Sequence, residues 1–180
     1  MPGTKWSLAL LTLLIVAGCS RNQREGTLVI GKPLLGESGA VDLFKLSEAV
    51  WAREAKYGFH ALSNPERVFL CVWNLEAEVN NGGFSQFFDN SAGDYAAETP
   101  GALRMIGAAG MADLVERAMA VFGAAGPPAD REKRSEAIEA LPESEKEKWE
   151  ELDAAFIKLS SPEAELRAFV EAHRSEFYAP

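Results

Sequence analysis

The chain has two histidines, two cysteines and no apolar stretch longer than twelve residues. Each scarcity excludes something. His60 and His173 have no neighbours at the spacing of a zinc site, so no metal set is assigned. A helix needs about 20 apolar residues to cross a bilayer, and the stretch Trp6 to Ala17 is too short. Gly36-Glu37-Ser38-Gly39 lacks the residue that a nucleophile elbow puts between its serine and last glycine. There is no phosphate-binding loop and no dinucleotide glycine fingerprint, so no cofactor is expected. An alternating strand pattern is also missing. No residue is assigned a catalytic role.

The short apolar stretch does fit the core of an export signal. Lys5 supplies positive charge before it, and Val16-Ala17-Gly18-Cys19 follows it. That segment resembles the lipobox of bacterial lipoproteins, a branched apolar residue and two small ones before a cysteine. The resemblance implies cleavage before Cys19 and lipid on its sulfur. Residues 1–18 then form the signal peptide, 19–40 the lipidated cysteine and a flexible tether, and 41–180 an acidic helical domain. The tether reading rests on Gly26, Gly31, Pro33, Gly36 and Gly39 among mixed charges. The apolar run Thr27 to Ile30 has no clear partner strand and stays with it. The expected location is the cell envelope. Ser20 after the cysteine favours the outer membrane facing the periplasm over the inner membrane, where resemblance to such lipoproteins would imply an aspartate.

Once Lys5 leaves, seventeen bases stand against twenty-seven acids, a net charge of −10. Such a domain is repelled by nucleic acid and by anionic surfaces, so no direct nucleic-acid binding is expected. With Cys19 lipidated, Cys71 is alone and forms no internal disulfide. It sits in an apolar run and reads as a small core residue.

The domain reads as helix after helix with a period near 3.6. Leu43, Leu46, Val50 and Tyr57 mark a first helix. Asn64 as cap, Pro65 in the first turn and Glu66 at the positive end of the dipole open a second. Val68, Phe69, Leu70, Cys71, Val72, Trp73, Leu75 and Val79 make it apolar on most sides, hence central. Met111, Leu114, Val115, Ala118, Met119 and Phe122 form another stripe, and Gly123 to Pro128 ends it. Trp149, Leu152, Phe156 and Leu159 form the next. Leu166, Phe169, Val170, His173 and Phe177 form the last. The fold class is therefore all-α, a single-domain helical array.

The most informative segment runs from Glu76 to Gly93. The central helix is expected to end at Asn80-Asn81-Gly82, because Asn and Gly tolerate the left-handed conformation that closes a helix. Gly83 lets the chain turn again. Phe84, Phe87 and Phe88 then share one face of a short helix, giving an Asn-Asn-Gly-Gly-Phe helix–turn–helix motif. Glu76, Glu78, Asn80, Asn81, Gly82, Gly83, Phe84 and Gln86 are the candidate binding residues. They either bind a peptide or small ligand, or cap and brace helix ends.

This segment, with Ala102 to Ala108, resembles a family of small acidic helical proteins. Their shared domain takes its name from a bacterial DNA-mimic protein. The resemblance covers roughly residues 45–125, and loosely the rest. It implies an all-helical domain and, for the named member, surface carboxylates that stand in for DNA phosphates on a DNA-binding regulator. Residues 66–116 hold eight acids against two bases and could present such a face. Residues 130–180 hold fourteen acids against eight bases, which reads as an ordinary solvated surface. The leading expectation is a lipid-anchored module that binds a protein or peptide in the envelope. The alternatives are an acidic DNA-mimic-type protein and an envelope enzyme with an unrecognised site.

Overall fold

The computed structural model describes residues 34–36 and 39–177. The expected signal peptide, Cys19, Ser20 and the Thr27–Ile30 run lie outside the described residues. Seven α-helices and no strand are found among the described residues: α1 (Leu43–Tyr57), α2 (Asn64–Asp89), α3 (Thr99–Met105), α4 (Ala109–Met119), α5 (Arg131–Glu139), α6 (Glu143–Lys158) and α7 (Glu163–Ala172). Helical turns of the tighter 3-10 kind join several of them, at Phe59–Ala61, Ser91–Tyr95, Ala120–Phe122 and Arg174–Glu176.

Asp42 starts α1, its Oδ1 accepting from the amides of Phe44 and Lys45 at 3.1 Å each. Leu43, Leu46 and Val50 are buried as the period requires, but Tyr57 remains 43% exposed. At the start of α2 the cap is Ser63, one residue earlier than expected. Ser63 Oγ accepts from the Glu66 amide at 3.2 Å, and Glu66 Oε2 accepts from the Ser63 amide at 2.8 Å. This reciprocal box needs its members three positions apart, and the spacing from Ser63 to Glu66 supplies it. Glu66 is fully buried and also takes Arg53 Nε at 2.9 Å, tying α1 to α2.

α2 is the spine, packed against α1, α3, α5, α6 and α7. Its buried face carries Phe69, Val72, Leu75 and Val79 and continues through Phe84, Phe87 and Phe88. Phe88 lies 5.3 Å from the Trp149 ring on α6 and 5.0 Å from Phe122. Phe84 meets Phe156 edge-on. Burying each such ring contributes about 1.5–3 kcal/mol. Trp149 satisfies its indole by donating to the Ala118 carbonyl at 2.9 Å. Leu159, expected in the same stripe, lies just past α6 and is 40% exposed.

The described part of the expected tether is folded onto the domain. The Asp42 amide donates to the Leu34 carbonyl at 2.9 Å, the Gly36 amide to the Ala40 carbonyl at 2.8 Å, and Leu35 pairs with Val41 in an antiparallel bridge. α7 fastens this leading turn: Glu171 Oε1 accepts from the Val41 amide at 3.1 Å, and Arg167 donates to the Val41 carbonyl.

Candidate binding site at the helix break

The expected end and restart of the central helix are compressed into two residues within α2. Gly82 (φ −154°, ψ 21°) and Gly83 (φ 76°, ψ −174°) leave helical geometry, and the helix resumes at once. Gly83 occupies a positive φ that L side chains rarely adopt. A Cβ there would also lie 2.2 Å from Asp153 Oδ2. Asp153 belongs to α6 and comes this close because its Oδ1 accepts the Phe84 amide at 2.8 Å. A helix break leaves amides without a carbonyl partner, and a carboxylate is a strong acceptor for one.

The polar side chains of the motif divide into two groups. Glu78 Oε2 accepts from Gln86 Nε2 at 2.6 Å and from Asn90 Nδ2 at 2.9 Å. Asn81 Nδ2 donates in turn to Gln86 Oε1 at 3.2 Å. Glu78, Asn81, Gln86 and Asn90 thus form one network that straddles the break. Gly82 leaves room for it, since a Cβ there would sit 2.1 Å from Gln86 Oε1. Glu76 stands apart, accepting from Ser161 Oγ at 2.5 Å. Asn80 is exposed and makes no side-chain hydrogen bond among the described residues. Gly83 and Phe84 are buried.

Two residues outside the motif hold this region. Asp153 is one. Burial holds its carboxyl above the ordinary range, the Phe84 amide opposes that, and nearby Glu150 adds to it. The other is Arg134 on α5, fully buried. It makes five hydrogen bonds: to the carbonyls of Phe88 (2.5 Å), Asn90 (3.2 Å), Pro128 (2.9 Å) and Ala129 (3.0 Å), and to Asp94 Oδ1 (2.6 Å). Gly93 admits it, because a Cβ there would lie 2.7 Å from Arg134 Nε. Neither residue stood out in the sequence. The nearest signal was Asp130, a helix cap ahead of a segment with no apolar stripe.

Most carboxylates of the segment expected to present a negative face have partners. Within residues 66–116, Glu66 pairs with Arg53, Asp94 with Arg134, and both Asp113 and Glu116 with Arg104. Asp89 accepts from Ser135 Oγ, and Glu76 and Glu78 are engaged as described. Only Glu98 of the eight is left with no such partner among the described residues. By contrast, Glu132, Glu136 and Glu139 line one exposed face of α5, and Glu143, Glu147, Glu150 and Glu151 one exposed face of α6. Successive carboxylates four residues apart are about 6 Å apart along the axis. Of these seven, only Glu143 has a cation at ion-pair distance among the described residues, Lys146 at 4.0 Å.

A family model described as DMP19-like protein matches residues 60–173. The chain belongs to the DMP19-like protein family. The DMP19-like match runs from the turn before α2 to the residue after α7. It therefore includes the helix break, Arg134 and both acidic stripes, and leaves α1 and the leading turn outside. No curated protein and no solved structure matches the chain.

Proposed function

We propose that this DMP19-like domain is a binding module that offers the glutamates of α5 and α6 to a basic surface of a partner protein. We place it in the cell envelope, held to a membrane through lipid on Cys19. The observation that carries the reading is the pair of exposed glutamate stripes, of whose seven carboxylates only Glu143 has a cation at ion-pair distance among the described residues. Fixed charges on rigid helices need little ordering to meet a complementary surface. Their mutual repulsion also falls when a cationic partner arrives. The Glu78 network supports a bracing role for the Asn-Asn-Gly-Gly-Phe segment, which holds α2 and α6 in register beneath the stripes.

Family membership favours a second reading, in which the same glutamates stand in for DNA phosphates. It demands a partner whose basic surface is itself a DNA-binding surface. Both readings are tested by cross-linking intact cells that express the full chain and identifying what co-purifies. The stripe variant carries Glu132→Gln, Glu136→Gln, Glu147→Gln and Glu151→Gln. Glu98→Gln, Asp113→Asn, Glu116→Gln and Glu165→Gln together, all at exposed positions, are the charge-matched control elsewhere. A partner lost with the stripe variant and kept by the control supports the acidic face. Duplex DNA displacing that partner, with affinity falling steeply as salt rises, selects mimicry. A partner kept by the stripe variant but lost with Asn81→Ala returns the site to the helix break.

A further inference from the structure

The end of the domain where the chain arrives differs from the rest of its surface. Six large apolar side chains are exposed among the described residues, and the three aromatic ones, Phe44, Trp51 and Tyr57, all lie on α1. Phe44 and Trp51 are seven residues apart and share a face, about 10 Å from each other along the axis. Phe44 and the half-buried Trp73 also border an open groove of about 600 Å³ whose rim is the leading turn, from Gly36 and Ala40 to Leu43. Trp51 holds its indole N–H on Asn74 Oδ1 at 3.1 Å, so its ring stands fixed at the surface.

Charge follows the same division. In a chain of net charge −9, α1 offers Lys45 and Lys56 against Glu48 and Glu54, its third base, Arg53, being buried against Glu66. α1 is tied to α2 at Glu66 and Asn74, whereas α5 is tied to it at Phe88 and Asn90. Fourteen residues of α2 separate Asn74, which holds Trp51, from Phe88, roughly 20 Å of helix interrupted by the break at Gly82–Gly83. The glutamate-bearing α5 is thus held at a different part of the spine from Trp51, and the turn Ser91–Tyr95 lies between α5 and the C-terminal half of α1, Asp94 pairing with Arg134 and Tyr95 with Glu54.

The geometry points to a lipid bilayer as the surface that covers α1: Phe44 and Trp51 rest in the headgroup region and turn the acidic helices toward the compartment. This rests on the proposed anchoring at Cys19. Fifteen residue steps join Cys19 to Leu34, a covalent reach of at most about 50 Å, so an acylated chain keeps this face beside the membrane. Aromatic rings with one polar edge favour the membrane–water interface. A near-neutral helix can approach headgroups that repel the glutamate stripes. α1 lies outside the matched residues 60–173, so the face is not part of the matched family region.

The test uses full-length acylated protein in vesicles of phosphatidylethanolamine and phosphatidylglycerol with nitroxide-labelled headgroups. A fluorophore is placed at Ala55→Cys, on the Phe44–Trp51 face, or at Glu139→Cys on α5. Cys71 is 2% exposed and does not compete for the label. The expected result is quenching several-fold stronger at residue 55 than at residue 139. Phe44→Ser with Trp51→Ser should reduce it to the level at residue 139 while the thermal midpoint stays close to the parent's. Phe44→Ser alone, at a 62% exposed position, should reduce it partly. Acylated protein quenched equally at both positions overturns the orientation and leaves the anchoring intact. Protein whose mass shows no acyl chain on Cys19 overturns both. A dimer in lipid-free detergent that shields residue 55 overturns the bilayer in favour of a second copy.

Discussion

Arg134 Nε donates to the carbonyl of Phe88 across forty-six residues of sequence, at 2.5 Å and out of contact with solvent. The guanidinium closes the C-terminal end of α2, where carbonyls lack intrahelical donors and the helix dipole is negative. Arg134→Met should lower stability by about 3–5 kcal/mol, since it leaves several carbonyls unsatisfied and Asp94 unpaired. Asp94→Asn should cost under about 1 kcal/mol, because that carboxylate is partly exposed and the carbonyl bonds survive. Urea midpoints of the two variants measure the difference. Equal losses would locate the role of Arg134 in the ion pair rather than in the helix end.

Gly83→Ala and Gly123→Ala separate backbone strain from crowding. Both glycines have positive φ, 76° and 82°. Nothing lies within 4 Å of a Cβ at Gly123, whereas one at Gly83 would strike Asp153. Gly123→Ala should cost about 1–2 kcal/mol, the strain alone. Gly83→Ala should cost more, because Asp153 must retreat and release the Phe84 amide. Thermal unfolding of both variants, with Asp153→Ala in each background, shows whether the excess vanishes when the carboxylate is gone.

Two carboxylates should give opposite responses to pH. Asp153 has a folded-state pKa above its unfolded value, chiefly through burial. The native state therefore holds that proton more tightly. Its contribution is full below the ordinary aspartate range and is lost as pH rises through the raised value. Asp153→Asn keeps an acceptor for Phe84 and should flatten that slope in urea titrations run across mildly acidic pH. Glu171 is shifted down, first by its hydrogen bond from Arg174 and further by the Val41 amide. Its contribution is present above the ordinary glutamate range and is lost as pH falls through the lowered value. The Val41 amide should lose exchange protection on acidification before the core amides do, and Glu171→Gln should remove that early loss.

Cys71 should be chemically silent in the native state. Burial pushes its thiol up to about 12, and a hydrogen bond with Thr99 only partly offsets this. A disulfide reagent at pH 8 should label it at the rate of unfolding, with the labelling rate rising in step with the unfolding rate in urea. Labelling much faster than unfolding would mean that the α2–α3 packing opens locally.

The apolar stripes were legible because burial repeats with the helical period, as Leu114, Val115 and Ala118 on α4 or Leu166 and Val170 on α7 show. The break was legible through Gly83, whose positive φ few residues besides glycine adopt, although the left-handed closure expected at Asn80-Asn81-Gly82 falls one residue later. α5 was not. Its nine residues offer Ile138 as the one large apolar side chain, and its anchor is a buried arginine that periodicity reads as surface. The pairing of the carboxylates in residues 66–116 was not legible for a related reason. Composition counts carboxylates but does not show that Arg104 gathers Asp113 and Glu116, or that Arg53 buries Glu66. Glu78, Asn81 and Gln86 stood together in the sequence motif, while Asn90, which completes their network, and Asp153, which takes the Phe84 amide, depend on contacts that spacing alone does not encode.

The turn Ser91–Tyr95 gives the domain a second path between α1 and α5. Tyr95 Oη donates to Glu54 Oε1 on α1 at 2.7 Å, while the neighbouring Asp94 pairs with Arg134 on α5 at 2.6 Å. A displacement of α5 would therefore reach α1 through two adjacent residues, without travelling along the spine and across the Gly82–Gly83 break, where side chains stand in for the helix's own hydrogen-bond ladder.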